Sequence, residues 1–129
     1  MSANILLIED NEQNRYLTTF LLEHSGHRVV HAADGPTGID LASRDRYDMI
    51  LLDIQLPGMS GYEVARVLRS RPAMENVPIV AVTSYAMVGD RETAILAGCD
   101  GYLEKPIDPE TFVADVMRHR HARSAGETT

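Results

Sequence analysis

Two acidic sites in the sequence follow directly on uninterrupted apolar runs. Asp53 ends the run of residues 49–52, and the pair Glu9-Asp10 ends an earlier run of the same kind. Such runs are typical of buried strands, and a carboxylate at the mouth of a buried strand is costly to keep charged unless the site uses it. With Lys105 late in the chain, the pattern indicates a metal-assisted phosphoryl site, which needs a nucleophile, a cation and positive charge for phosphate oxygens.

The elements that position these residues are short strands alternating with segments of helical periodicity. Five runs are predicted as strands, at residues 5–8, 29–32, 49–52, 79–82 and 101–103. Most of these runs are apolar and short, which favours parallel strands that are covered on both faces.

Five helices are predicted between and after the strands. The first is expected to pack through an apolar stripe, which comprises Leu17, Phe20, Leu21 and Leu22 and ends near Gly26. The others are predicted from residues that begin or end helices, which are Asp34 for the second, Gly61 for the third, Gly98 for the fourth and Asp108-Pro109 for the fifth. Five such units in series predict an α/β, doubly wound parallel sheet with helices on both faces.

In such a sheet, ligands bind beyond the carboxyl ends of the strands. Glu9-Asp10, Asp53, Thr83 and Lys105 all follow or end predicted strands, so we expect them at one edge of the sheet. Clustered carboxylates repel one another unless a cation intervenes, and Mg²⁺ prefers carboxylate, water and phosphate oxygens. Lys105 would supply positive charge to an incoming phosphoryl group, and Thr83 a hydroxyl donor.

Residues 3–122 resemble the receiver domain of bacterial two-component response regulators. The resemblance rests on signature residues in their usual order, which are Glu9-Asp10, Asp53, the turn Pro57-Gly58-Met59-Ser60-Gly61, Thr83 and Lys105-Pro106. The stretches 9–14, 98–102 and 105–107 are similar to stand-alone receivers of the DivK kind, and receivers attached to hybrid kinases also resemble them. The resemblance implies the flavodoxin-like (βα)5 fold with strand order 2-1-3-4-5.

The resemblance also implies a role for each acidic residue. Asp53 would be the phosphoacceptor, taking a phosphoryl group from a histidine kinase or a histidine phosphotransfer protein. Mg²⁺ would be bound by the carboxylates of Asp10 and Asp53 and by the backbone carbonyl of Gln55, with Glu9 holding it through water. Lys105 would pair with the acyl phosphate.

The remaining implied roles concern switching and lifetime. Thr83 would bond a phosphate oxygen and move inward after phosphorylation, and the aromatic Tyr102 would follow it. Pro106 would be preceded by a cis peptide bond. Gln55 and Tyr85 would tune the lifetime of the acyl phosphate, and we expect Tyr85 to impede attacking water and so to slow self-dephosphorylation.

Composition excludes several classes of function. The formal net charge of −7 disfavours nonspecific nucleic-acid binding, and 5% aromatic residues without Trp offer no stacking platform for single strands. No apolar stretch reaches the roughly 20 residues that span a bilayer. The first residues lack the features of a signal peptide, and the single Cys99 forms no internal disulfide. We therefore expect a cytoplasmic protein without membrane contact, as a monomer or weak dimer.

The sequence thus predicts a receiver at residues 1–122 with a flexible tail at 123–129. It would not be an enzyme beyond its own phosphorylation and dephosphorylation. It would signal to a downstream protein through the face formed by the fourth helix, fifth strand and fifth helix. The alternatives are a receiver excised from a hybrid histidine kinase and a binding module that is never phosphorylated. A third is a phosphohydrolase that forms an aspartyl-phosphate, which usually needs a general acid two residues beyond the nucleophile, where Gln55 stands.

Overall fold

The chain folds around one parallel sheet, as the sequence predicts. The computed structural model describes residues 2–84 and 87–123. The strands are β1 (Asn4–Ile8), β2 (Arg28–Ala32), β3 (Met49–Asp53), β4 (Ile79–Thr83) and β5 (Gly101–Glu104). They are all parallel and lie in the order β2-β1-β3-β4-β5. Both the strand order and the parallel pairing of the predicted flavodoxin-like fold are confirmed.

Helices cover both faces of the sheet. They are α1 (Glu12–His24), α2 (Gly35–Arg44), α3 (Gly61–Arg69), α4 (Asp90–Ala97) and α5 (Phe112–Met117), with a short 3₁₀ helix at Pro72–Met74. Alternate strand residues such as Leu6 and Leu52 pack with α2, α3 and α4, whereas Ile5 and Leu51 pack with α1 and α5. The sheet is therefore buried on both faces, which explains the uninterrupted apolar runs 49–52 and 79–82 of its central strands β3 and β4.

Local signals in the sequence account for several helix boundaries. The Asp34 side chain accepts a hydrogen bond from the Thr37 amide and begins α2. Ser60 and Glu63 form a reciprocal capping box at the start of α3. Gly98 ends α4 with a φ of +112°, a conformation that a side chain would disfavour.

Two helix predictions were wrong in detail. The predicted stripe of α1 matches its buried face only in part. Leu22 is buried and Leu21 packs against the core, but Phe20 is 52% exposed and stacks on His24. Thr18, which was not predicted, is also buried. The α5 helix begins at Phe112 with Thr111 as its N-cap, not at Asp108-Pro109. The carboxylate of Asp108 instead accepts a hydrogen bond from the Glu110 amide, which forms a separate turn before the helix.

The carboxyl-terminal part of the described chain is held against the domain. Arg123, which the sequence prediction assigned to the flexible tail, forms an ion pair with Asp100. Residues 124–129 lie outside the described residues. In the part of the chain that the structure describes, no helix is long and apolar enough to cross a membrane.

Candidate functional site

Four strand ends bring the predicted site residues together. Asp53 is the last residue of β3 and Thr83 the last of β4, while Glu9 and Asp10 follow β1 and Lys105 follows β5. Carboxylate oxygens of Glu9, Asp10 and Asp53 all lie within 4.8 Å of one another. Glu9 and Asp53 are each 3% exposed, whereas Asp10 is exposed. The sheet therefore assembles a partly buried acidic cluster from residues far apart in the chain.

Lys105 is the cation that faces this cluster. Its Nζ lies 2.6 Å from Glu9 Oε1 and 3.6 Å from Asp53 Oδ2. The prediction paired Lys105 with a phosphorylated Asp53; in the structure its shorter contact is with Glu9. One ammonium group is thus shared between two buried carboxylates, and negative charge remains in excess.

Burial and the neighbouring negative charge together perturb the pKa of Asp53. Burial is the main cause, and Glu9 the next, of a rise in the pKa of Asp53 to about 7; the Lys105 charge and the Gln55 amide oppose the rise. A buried carboxylate next to another favours its neutral form. A further cation at the cluster would therefore be bound favourably.

The turn after β3 brings the chain close beneath Asp53. Gly58 adopts a φ of +75°, which glycine tolerates best. At Gly61 a Cβ atom would overlap the backbone oxygen of Asp53 and Cα of Ile54. The Gly61 amide donates instead to the Ile54 carbonyl at 3.0 Å. The two glycines thus let α3 begin directly under Asp53.

Thr83 ends β4, and Tyr102 lies on the neighbouring strand β5 opposite Ala81. Thr83 is buried, and its Oγ1 accepts a hydrogen bond from Gln55 Nε2 at 2.6 Å. The Tyr102 ring is buried, and the Arg91 guanidinium lies over it at 5.3 Å from the ring centroid. Among the described residues, no partner is found for the Tyr102 hydroxyl. Tyr85, the predicted lifetime residue, lies outside the described residues.

The peptide bond between Lys105 and Pro106 is cis.

An additional residue, Arg15 on α1, was not predicted. Its Nη1 donates to the carbonyl oxygens of Glu9 and Asp10, at 3.0 and 3.1 Å. The feature of the sequence that could have indicated this contact is an arginine in the helix that follows Glu9-Asp10. Arg15 holds the backbone that carries these acids.

The donor set fits a hard divalent cation. Three carboxylates converge, two of them are buried, and Lys105 supplies the nearby positive charge. Oxygen ligands of this kind suit Mg²⁺, which keeps some of its waters and commonly binds one or two carboxylates together with phosphate oxygens. Burial, and after it the neighbouring Glu9, raises the pKa of Asp53, and a bound cation would favour the charged form of this carboxylate.

Comparison with known proteins decides the family. Residues 5–117 match the family model described as the response regulator receiver domain. The chain belongs to this family. In this receiver the acidic cluster, Thr83 and Lys105 lie at the carboxyl ends of the strands.

Sequence relatives of this receiver agree with the family. The polar-differentiation response regulator DivK of Brucella anthropi is 39% identical over 119 residues, which cover 92% of this chain and 97% of the relative. DivK of Brucella ovis is 38% identical over the same length.

Solved structures also resemble this receiver. The receiver domain of the sensor histidine kinase PA1611 from Pseudomonas aeruginosa is 37% identical, with a TM-score of 0.81 over 95% of this chain and 98% of that one. That structure has a magnesium ion coordinated in its active site cleft. The chemotaxis protein CheY4 of Vibrio cholerae is 28% identical, with a TM-score of 0.87 over 92% of this chain and 98% of its own.

Proposed function

We propose that this receiver accepts a phosphoryl group on Asp53 from a phosphohistidine of a histidine kinase or a histidine phosphotransfer protein, and that it acts in the cytoplasm. The observation that carries the proposal is the convergence of Glu9, Asp10 and Asp53 within 4.8 Å, with Lys105 3.6 Å from Asp53. Structural ion pairs do not require three carboxylates against one ammonium. A site for a divalent cation and a phosphoryl group accounts for this excess of carboxylates.

The chemistry is a displacement at phosphorus. A carboxylate oxygen of Asp53 attacks the phosphorus atom, the P–N bond breaks, and the imidazole leaves with the electron pair and takes up a proton. Mg²⁺, when bound by Asp10, Asp53 and the Gln55 carbonyl, with Glu9 through water, supplies positive charge for the phosphoryl oxygens. Lys105 and Thr83 then stabilise the acyl phosphate, as ammonium and hydroxyl donors.

The site favours a switch over a hydrolytic enzyme. A phosphohydrolase that works through an aspartyl-phosphate would place a general acid two residues after Asp53, and Gln55 stands there. An amide cannot supply that proton. The chain is therefore proposed to catalyse only its own phosphorylation and dephosphorylation.

The output surface proposed for the phosphorylated form comprises α4, β5 and α5. Leu96 is 87% exposed and Ile95 56% exposed on α4, and Arg91 joins this helix to the Tyr102 ring of β5. A shift of Thr83 and Tyr102 would therefore change the apolar surface of α4. Phosphorylation would bias an existing equilibrium between two such arrangements, and a downstream protein would bind the favoured one.

Phosphorylation by phosphoramidate, a small donor with a P–N bond, tests the proposal. Intact mass should show one phosphoryl group per chain with Mg²⁺ and almost none with a chelator. The near-isosteric Asp53→Asn variant is the control and should gain no mass. Absence of any adduct on the wild-type chain with Mg²⁺ would overturn the proposal.

Turnover of p-nitrophenyl phosphate separates the switch from the hydrolase. We expect no more than slow release of nitrophenol at the rate of acyl-phosphate decay. Many fast turnovers per chain would favour the hydrolase. A binding module that is never phosphorylated would give neither an adduct nor turnover.

A further inference from the structure

Gln55 connects the phosphoacceptor to the chain that follows β4. Its backbone amide donates to Asp53 Oδ1 at 3.1 Å. Its side-chain Nε2 donates to Thr83 Oγ1 at 2.6 Å, and its Oε1 accepts from the Ser84 amide at 3.1 Å. One residue thus contacts the proposed nucleophile, the proposed hydroxyl donor and the next backbone amide.

The hydrogen-bond pattern fixes the orientation of the Gln55 amide. The Ser84 N–H can only donate, so the Gln55 oxygen must face it, and the Gln55 nitrogen then faces Thr83. That nitrogen can only donate, so the Thr83 oxygen must accept. A hydroxyl group has one proton and two lone pairs, and the Thr83 proton is therefore directed to an acceptor other than Gln55.

We infer that Gln55 is a positioning residue that orients the Thr83 hydroxyl as a hydrogen-bond donor to the phosphoryl group. This inference rests on the proposed phosphorylation of Asp53 and deepens it. Gln55 does not need to touch the phosphoryl group through its side chain, because it acts through Thr83. The hydrogen bond from the Ser84 amide to Gln55 Oε1 holds the chain after β3 and the chain after β4 at the spacing that this orientation needs.

Two substitutions separate this role from a merely structural one. Gln55→Met keeps the length of the side chain and removes both side-chain hydrogen bonds. Gln55→Glu keeps the acceptor for Ser84 but presents an acceptor to Thr83, so the hydroxyl would turn its proton to the carboxylate. Each substitution is made with Thr83 present and again in a Thr83→Ala chain, which reports every effect of residue 55 that does not pass through Thr83.

The readout is the initial rate of phosphorylation by phosphoramidate at saturating Mg²⁺, followed by intact mass. With Thr83 present, we expect Gln55→Met to slow the reaction about 3- to 10-fold, the effect of one hydrogen bond. In the Thr83→Ala chain the same substitution should change the rate by less than about 2-fold. Gln55→Glu should slow the reaction in both backgrounds because of its added charge. The slowing should be greater with Thr83 present, because only there does the carboxylate also accept the hydroxyl proton.

Thermal stabilisation by Mg²⁺ is the second readout and should be the same for wild type and Gln55→Met, which shows that the acidic cluster is intact. A wild-type rate for Gln55→Met, or an equal slowing in both backgrounds, overturns the inference while phosphorylation of Asp53 stands. A wild-type chain that takes up no phosphoryl group overturns the proposed function as well.

Discussion

At the scale of single residues, the resting site is short of positive charge. Glu9 and Asp53 share the Lys105 ammonium, at 2.6 and 3.6 Å, and Asp10 has its carboxylate oxygen in the same cluster. Repulsion among buried carboxylates costs stability unless a cation compensates it. The proposed divalent ion would neutralise this excess of negative charge and so offset part of the cost of burying the Asp53 carboxylate.

Removal of an acid should therefore reduce stabilisation by Mg²⁺. Wild type should unfold at higher temperature with Mg²⁺, since ligand at ten times its dissociation constant adds about 1.4 kcal/mol to the free energy of unfolding. Asp10→Asn and Asp53→Asn should lose most of this increment, and Glu75→Gln, which removes an exposed acid elsewhere, should keep it. Thermal melts with and without a chelator measure it. Equal increments in all four proteins would contradict the assigned ligands.

His27 should make the fold sensitive to mild acid. Its Nδ1 accepts a hydrogen bond from the Ala3 amide at 3.0 Å, and burial, followed by the Arg120 charge, lowers the pKa of His27 from its ordinary 6.5. The unfolded chain takes up a proton below that pH while the folded chain resists it, so stability falls as pH falls. In denaturation experiments at a series of pH values, the free energy of unfolding of wild type should fall more steeply with decreasing pH than that of His27→Gln. Parallel losses in both proteins would argue against this role.

At the scale of elements, the start of α3 depends on a capping box that can be recognised in the sequence. The Ser60 hydroxyl accepts a hydrogen bond from the Glu63 amide at 3.3 Å, and the Glu63 carboxylate accepts one from the Ser60 amide at 3.0 Å. This helix begins directly after the turn under Asp53. The capping box therefore supports both the helix and the position of the site.

Ser60→Ala should lower the free energy of unfolding by about 1 kcal/mol, the usual cost of losing an N-cap. Ser70→Ala, at the other end of the same helix, removes an exposed hydroxyl that donates to the Val67 carbonyl at 2.6 Å, and this comparison variant should cost less, about 0.5 kcal/mol. Urea denaturation of the two variants and wild type measures both values. A larger effect at Ser70 than at Ser60 would show that the capping box is not what stabilises α3.

The strands were easier to predict than the helix faces, for a physical reason. A strand buried on both faces is apolar at every position, so residues 49–52 and 79–82 are recognisable without tertiary information. A helix is apolar on one face only, and apolar residues on its exposed face make the buried face hard to identify from the sequence. Phe20 packs on His24 within its own helix, and the start of α5 was misplaced because Asp108 forms a turn of its own.

At the scale of the whole molecule, a second ion-pair network holds the amino-terminal end of the sheet. The Asp100 carboxylate accepts from Arg69 Nη2 at 2.7 Å and from the Ile79 amide at 2.9 Å, and it also pairs with Arg123. Arg69 donates further to carbonyls at Met74 and Val77. The network ties α3, β4 and the end of the described chain together, at the opposite end of the strands from the acidic cluster.

Loss of Asp100 should therefore destabilise the whole fold. Asp100→Ala leaves the largely buried Arg69 without its partner, which typically costs about 3 kcal/mol. Arg123→Ala removes a partner that is 35% exposed and should cost less than about 1 kcal/mol. Chemical denaturation of both variants tests the ranking. An equal or larger cost for Arg123→Ala would mean that the terminal contact, not the Arg69 pair, carries the network.

Much of the site could be predicted because the parallel topology alone places the strand ends at one edge of the sheet. Any parallel sheet with acids after β1 and β3 brings them to one edge, whatever the side chains then do. Partner choice could not be predicted in the same way. Lys105 contacts Glu9 more closely than Asp53, and Gln55 bonds Thr83, because these pairings depend on side-chain distances that no spacing in the sequence encodes.

The central claim is that Asp53 is the residue that carries the phosphoryl group. Borohydride reduction of the acyl phosphate after treatment with phosphoramidate and Mg²⁺, followed by peptide mapping, tests it most directly. We expect the reduced position to be Asp53 alone, with Glu9 and Asp10 unmodified and no modification in Asp53→Asn. Reduction at Glu9 or Asp10, or a modified Asp53→Asn chain, would contradict the account.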